Sequence, residues 1–294
     1  MGRPLVILLA LLASLCAAVG IVIRQRATRE VPAEQGMSTA IVATLFRKPS
    51  WWAGTMAAMA GYACQALALS KGSLLLVQPL LMSSLLFALP ISARLSHRRL
   101  TAGEWVWALV LTVGLAVFVL VGQPREGHYR PPVPAWALVV TIFVPFVVAC
   151  VACVAVAGRV AGRRRAALLA VAVAVLFATV AVLTKISMHR LALGGLRALL
   201  VIPAPYLLVV LAVVATVLQQ SAFHAGALQT SVPTMLVLEP LVAVLLGVVV
   251  LGEHLAVTGP VAAVLPVAVL AMVAAAIALG RGSAALDEEK ENLG

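Results

Sequence analysis

Acidic side chains are scarce in this chain: 10 Asp+Glu in 294 residues, and its one aspartate, Asp287, lies in the last few positions. The carboxylate pairs that enzymes use for acid–base work, or that a magnesium path uses to hold its ion, have little material to be built from. Charge of either sign is only 11% of the composition, aromatic residues are 5%, and there are four cysteines. All four (Cys16, Cys64, Cys150, Cys153) fall in apolar stretches. Cys150 and Cys153 have no His or carboxylate nearby, so they read as small packing residues rather than as a redox or zinc motif. No phosphate-binding Walker loop occurs, which argues against direct ATP hydrolysis.

Apolar length is what the chain has in excess. It is 63% hydrophobic with a mean hydropathy of +1.12. Runs of this length exceed what one buried core needs, so the chain reads as an all-α, polytopic membrane helix bundle. Nine runs are long enough to cross a bilayer: 4–23, 51–69, 74–93, 104–121, 134–157, 166–185, 204–225, 232–251 and 258–279. Trp51, Trp52, Trp105, Trp107 and Trp136 stand at run ends, where an interfacial aromatic belt belongs. The first run is longer than a signal-peptide core and lacks a small-x-small cleavage site, so it is expected to stay as a span.

The segment 36–46 is apolar but too short to cross roughly 30 Å of hydrocarbon as a helix. Lying in the interface it leaves nine spans; crossing, it makes ten. The excess of positive charge, +11, sits between the runs as topology signals and contacts to membrane lipid, and no nucleic-acid motif accompanies it. The bias of Lys and Arg toward the inner side favours nine, because ten would move Arg24, Arg26 and Arg29 outside. The C-terminus is then cytoplasmic, in a multi-pass plasma membrane protein, a bacterial inner membrane being the expected setting.

Two runs carry a polar residue directly before a proline, Gln78-Pro79 and Glu239-Pro240. A proline inside a helix leaves the carbonyl four residues earlier without its partner. Lipid does not satisfy that group, so such breaks face protein or a water-filled cavity. Gln65 and Gln220 occupy the matching runs before each break. Five crossings separate the two copies, an odd offset that gives inverted halves, about 1–122 and 134–280, with their site between them. The tail 281–294 reads as disordered.

A mid-membrane charge costs roughly 2.5–3.5 kcal/mol on insertion scales, so Glu239 is the foremost site candidate, as a proton- or cation-accepting group or as a strut for the kink. Gln78, Gln65 and Gln220 either hydrogen-bond a solute or bridge helices, and Tyr62 shares a face with Gln65 at i, i+3. Lys185 is expected either to pair with Glu239 or to snorkel to the surface. Glu253 and His254 fall at a helix end, where a structural cap or gate is the better reading for Glu253. Ala53, Ala57 and Gly61 form a small-residue ridge for helix packing. Thr101-Ala102-Gly103-Glu104 has the spacing of a capping box, making Glu104 a helix-start residue. No metal site, cofactor or catalytic residue is expected.

These residues resemble the drug/metabolite transporter superfamily. The resemblance rests on Ala227-Leu228, Glu239-Pro240-Leu241, Leu251-Gly252-Glu253 and Gly259 in the second half. In the first half, Trp51-Trp52-x-Gly54 and Gln78-Pro79-Leu80 are similar to the EamA-like and NIPA-like branches. It covers about 4–280 and is diffuse, bearing more on fold than on substrate. It implies a secondary transporter moving a small-molecule substrate by alternating access, with a homodimer left open. Divalent-cation transport is the alternative within that class; a non-transporting partner subunit or a membrane enzyme is the alternative outside it. The chain departs from the family's usual ten spans at 36–46, and Arg98 stands where the first half's motif would have Glu.

Overall fold

A computed structural model describes residues 3–29, 49–95, 99–127, 148–224, 228–257 and 263–292. The segment 36–46, the first part of the run 134–157, Arg98 and Gly259 lie outside the described residues. Ten helices are described: α1 (Arg3–Arg29), α2 (Pro49–Lys71), α3 (Leu74–Leu81), α4 (Ser84–Leu95), α5 (Ala102–Gly122), α6 (Val148–Ala157), α7 (Gly162–Val201), α8 (Ala204–His224), α9 (Leu228–Leu251) and α10 (Val264–Asn292). Two-residue strands β1 (Pro124–Arg125) and β2 (His254–Leu255) pair antiparallel.

Each apolar run coincides with helix among the described residues, the third being shared by α3 and α4. Six helical segments are long and apolar enough to cross a membrane: Arg3–Ile23, Leu74–Leu95, Ala102–Gly122, Gly162–Val201, Thr230–Leu251 and Val264–Gly282. Val148–Ala157 and Ala204–Gln219 are shorter apolar helices. The 23 residues of α2 are enough for about 34 Å of helix, but Thr55, Tyr62, Gln65 and its tryptophans and glycines dilute its apolar content. The backbone of α10 is helical through Asn292.

Small residues set the closest approach. α1 and α2 pack antiparallel: Gly20 lies against Gly54 and Ala58, and Gly61 lies against Ala13 and Ala17. The ridge on α2 is therefore Gly54, Ala58 and Gly61, with Ala53 exposed. Small residues surround most of this helix, so spacing alone does not choose the buried phase. A Cβ on Gly20 would sit 2.8 Å from Gly54 O and 2.9 Å from Ala58 N, both backbone atoms that do not yield. Gly20→Val is expected to cost about 1–3 kcal/mol through overpacking, read as a lower thermal midpoint in detergent. Gly103→Ala, whose new Cβ would meet nothing nearer than Thr101 Oγ1 at 4.0 Å, is the neutral control.

α7 is the central helix, buried over most of Ala166–Ser187 and packed on α2, α8 and α9. Beyond that stretch Gly194 and Gly195 leave helical geometry, Gly195 at φ +65°, a conformation that favours glycine. A second cluster joins α4, α5 and α10 through Leu89, Leu115, Phe118, Leu265 and Met272. Here Gly114 lies against Ala268 and Met272, while Gly122 lies against Leu265, so α5 and α10 run antiparallel. The expected capping box at the start of α5 is present: Thr101 N–H donates to Glu104 Oε2 at 2.8 Å, and Glu104 N–H to Thr101 Oγ1 at 3.3 Å.

Candidate functional site

The two polar-proline pairs meet, although only the first ends a helix: α3 stops at Leu81, two residues after Pro79, whereas α9 runs unbroken through Pro240, so the break expected there is not present. Pro79 on α3 and Pro240 on α9 line one cavity of about 90 Å³, with Met82, Phe118, Val237 and Met272 among the other walls, all apolar. That is room for several water molecules or a small solute group. α3 and α9 approach each other antiparallel, since Leu74 and Leu75 lie against Gly247 at one end while Pro79 and Pro240 share the cavity at the other. The contact of α3 with α9 thus joins one element of each sequence half.

Gln78 is 2% exposed, and its Nε2 has no hydrogen-bond partner among the described residues. Glu239 is partly buried and makes no hydrogen bond or ion pair among the described residues. Neither side chain is among those lining the cavity. An unsatisfied buried polar group carries a penalty of about 1–3 kcal/mol, which among the described residues sets Gln78 Nε2 and Ser187 Oγ apart from the apolar core around them. Tyr62 is half-exposed and shares a 2.8 Å hydrogen bond with Thr184 Oγ1, linking α2 to α7. Gln65 is partly buried on the same helix without a hydrogen bond among the described residues. Gln220 lies on α8, but its side chain is outside the described residues. The geometry therefore brings together Pro79 and Pro240, and places Tyr62 with Gln65 on another helix.

Lys185 finds a different partner from the one its sequence position suggested. Its Nζ lies 2.6 Å from Glu253 Oε1 and donates at 2.8 Å to Gly72 C=O, with Glu126 Oε1 at 3.5 Å. It neither pairs with Glu239 nor snorkels away. Glu239 is twelve positions before the end of α9 at Leu251, about 18 Å along a helix axis, whereas Glu253 stands just past that end. The side chain of Lys185 is 14% exposed and that of Glu253 is 0% exposed.

Glu253 does more than pair with Lys185. The first turn of any helix has N–H groups with no partner inside the helix. In α3 the Ser73 hydroxyl accepts from Leu76 N–H at 3.2 Å, while the Glu253 carboxylate accepts from Leu74 N–H at 2.9 Å and Leu75 N–H at 3.0 Å. An anion at a helix N-terminus is also favoured by the helix dipole. Local sequence explains how Glu253 gets there. Gly252, at φ +65°, ends α9 in the left-handed region, and Glu253 N–H then donates back to Gly247 C=O at 3.0 Å. Gly247 has no side chain to obstruct the carboxylate: a Cβ there would sit 3.0 Å from Glu253 Oε2. Beside this cluster Pro124 and Arg125 pair with Leu255 and His254. The spacing of Leu251-Gly252-Glu253 placed Glu253 at a helix end; what it did not reveal is that the helix being capped belongs to the other half.

Apolar helices of spanning length, packed through glycines and closed by a buried ion pair, define an all-α membrane protein of the helix-bundle class. The chain is 35% identical over 283 residues to an uncharacterised protein of Corynebacterium glutamicum, and belongs to the same family as that protein. The match covers 95% of this chain and 96% of the relative. No family model matches the chain, and no solved structure matches it.

Proposed function

We propose that the protein is a secondary transporter of the drug/metabolite transporter type, moving a small solute across the plasma membrane by alternating access. The observation that carries this reading is the shared cavity of Pro79 and Pro240. Two polar-proline pairs, one from each half, on antiparallel helices, are what an inverted repeat with a central site would produce. The antiparallel pairing of α5 with α10, the last helices of the two halves, supports the same symmetry. So does the packing of α1 on α2, α3 and α4, which α7 repeats on α8 and α9.

The contacts fit the expected topology as well, with nine spans or ten alike, because the two differ only before residue 47. Gly72, Glu126 and Glu253 follow the second, fourth and eighth apolar runs, and Lys185 ends the sixth. An even number of crossings returns a chain to the side it left, so all four belong to one membrane face, and they are in contact. With a cytoplasmic C-terminus that face is the outer one. Glu239 is the coupling carboxylate, and Gln78 supplies a hydrogen bond to the solute.

The test has two stages. Metabolite profiles of cells with and without the gene name candidate solutes, and proteoliposomes holding the purified protein are then assayed for uptake of each under an imposed proton gradient. Saturable uptake that empty liposomes lack is the expected result. If the profiles do not differ and no candidate solute moves, the transport reading fails.

A further inference from the structure

The contacts of Glu253 reach across the two halves at a single point. The carboxylate comes from the connection after α9, Lys185 from α7, and their partners Gly72, Leu74 and Leu75 from the first half. We propose that Lys185, Glu253 and the N-terminus of α3 form a latch that holds one end of the bundle shut and must open for that end to reach the proline cavity. Leu74 is five residues from Pro79 on α3, about 8 Å along the axis, so the latch sits between the cavity and that end. Leu69, Leu74, Leu75 and Val77, each no more than 1% exposed, fill the space beneath it. In describing this end as a gate the proposal rests on the transport reading.

The chemistry suits a latch better than a fixed joint. The polar contacts are hydrogen bonds and an ion pair with no covalent tie, and the apolar packing beside them is Leu74 and Leu75 against Gly247, which has no side chain to interlock. A rigid shift of α3 away from the end of α9 breaks the two bonds to Leu74 and Leu75 together. In the open form all the freed groups lie at a bundle end where water is at hand, so their cost is that of exchanging partners and not of leaving charges dry. Gly72 marks a short two-residue connection, Gly72 and Ser73, between α2 and α3, and Gly252 marks the corresponding turn after α9. Each supplies a glycine at the edge of a moving part.

A thiol-accessibility experiment tests this. Cys16, Cys64, Cys150 and Cys153 are replaced by alanine, Val77→Cys is introduced beneath the latch, and the protein is reconstituted in sealed vesicles. A membrane-impermeant maleimide is then applied to each side in turn. With the latch intact Val77→Cys is expected to label slowly from both sides. Removing one partner of a buried pair biases the equilibrium strongly, so Glu253→Gln and, separately, Lys185→Met are expected to speed labelling roughly a hundredfold, from one side only. Rates equal to the parent's, or rising equally from both sides, overturn the latch. So does failure of both variants to give a monodisperse folded protein, which would make the cluster a structural joint. No solute enters this assay. One-sided opening in a protein that moves nothing would remove the transport reading alone, and unchanged labelling with normal uptake would remove the latch alone.

Discussion

Glu253→Ala is expected to lower stability by about 3–5 kcal/mol, the range for removing one partner of a buried ion pair. The size follows from what is left behind. Lys185 keeps Gly72 C=O and the half-exposed Glu126, but loses the anion 2.6 Å away. Leu74 and Leu75, both buried, lose the acceptors of their N–H groups. Lys185→Met is expected to cost less, because Glu253 still accepts two N–H bonds and rests on a helix N-terminus. The difference between the two variants, measured as thermal midpoints in detergent, is the informative quantity. Combining Lys185→Met with Glu253→Ala is expected to cost less than the sum, since the second change no longer strands a buried cation. The charge swap Lys185→Glu with Glu253→Lys is not expected to rescue, because it aims an ammonium at two N–H donors. A midpoint for Glu253→Ala equal to wild type would mean the cluster holds nothing together.

Glu239→Gln is expected to do the reverse: to abolish solute uptake in proteoliposomes and leave the fold intact. Glu239 has no hydrogen bond or ion pair among the described residues, so exchanging its carboxylate for an amide of the same shape strands no partner. It also removes a charge from within an apolar span, a placement that costs roughly 2.5–3.5 kcal/mol for a charged residue at mid-membrane. The thermal midpoint should therefore stay level or rise. Wild-type uptake by the variant would take Glu239 out of the mechanism. Lost uptake together with lost folding would make the residue a strut for α9 at Pro240. Two carboxylates of the same half are thus expected to differ in their thermal midpoints, Glu253→Ala lowering stability and Glu239→Gln leaving the fold intact while flux is lost.

Much of the architecture can be read from the chain before any coordinates. Apolar length locates helices because lipid leaves the backbone no other way to satisfy its polar groups, and α5 even begins where Thr101 and Glu104 say it should. The kinship of Pro79 and Pro240 is legible because each directly follows a polar residue, Gln78 or Glu239, in the interior of an apolar run. Periodicity fails at choices between near-equals. On α2 alanines and glycines lie on most faces, so the ridge at Gly54, Ala58 and Gly61 differs by one residue at two positions from the one its spacing suggested. It fails again for Lys185, which has two acidic residues within plausible reach along the second half. Deciding between Glu239 and Glu253 requires knowing which connections meet at a bundle end, a long-range fact that local pattern does not hold.

The bond from Glu253 to Leu74 spans 179 residues of sequence. A chain is synthesised from its N-terminus and its early parts begin to fold first. When α3 emerges, the acceptor for its first N–H groups does not yet exist, and Lys185 appears well before its anion does. The first half therefore enters the membrane with one helix end provisional, held by lipid headgroups or water until α9 has been made and turned at Gly252. The start of α3 is thus completed late, by Glu253, with only α10 still to be made and packed on α5.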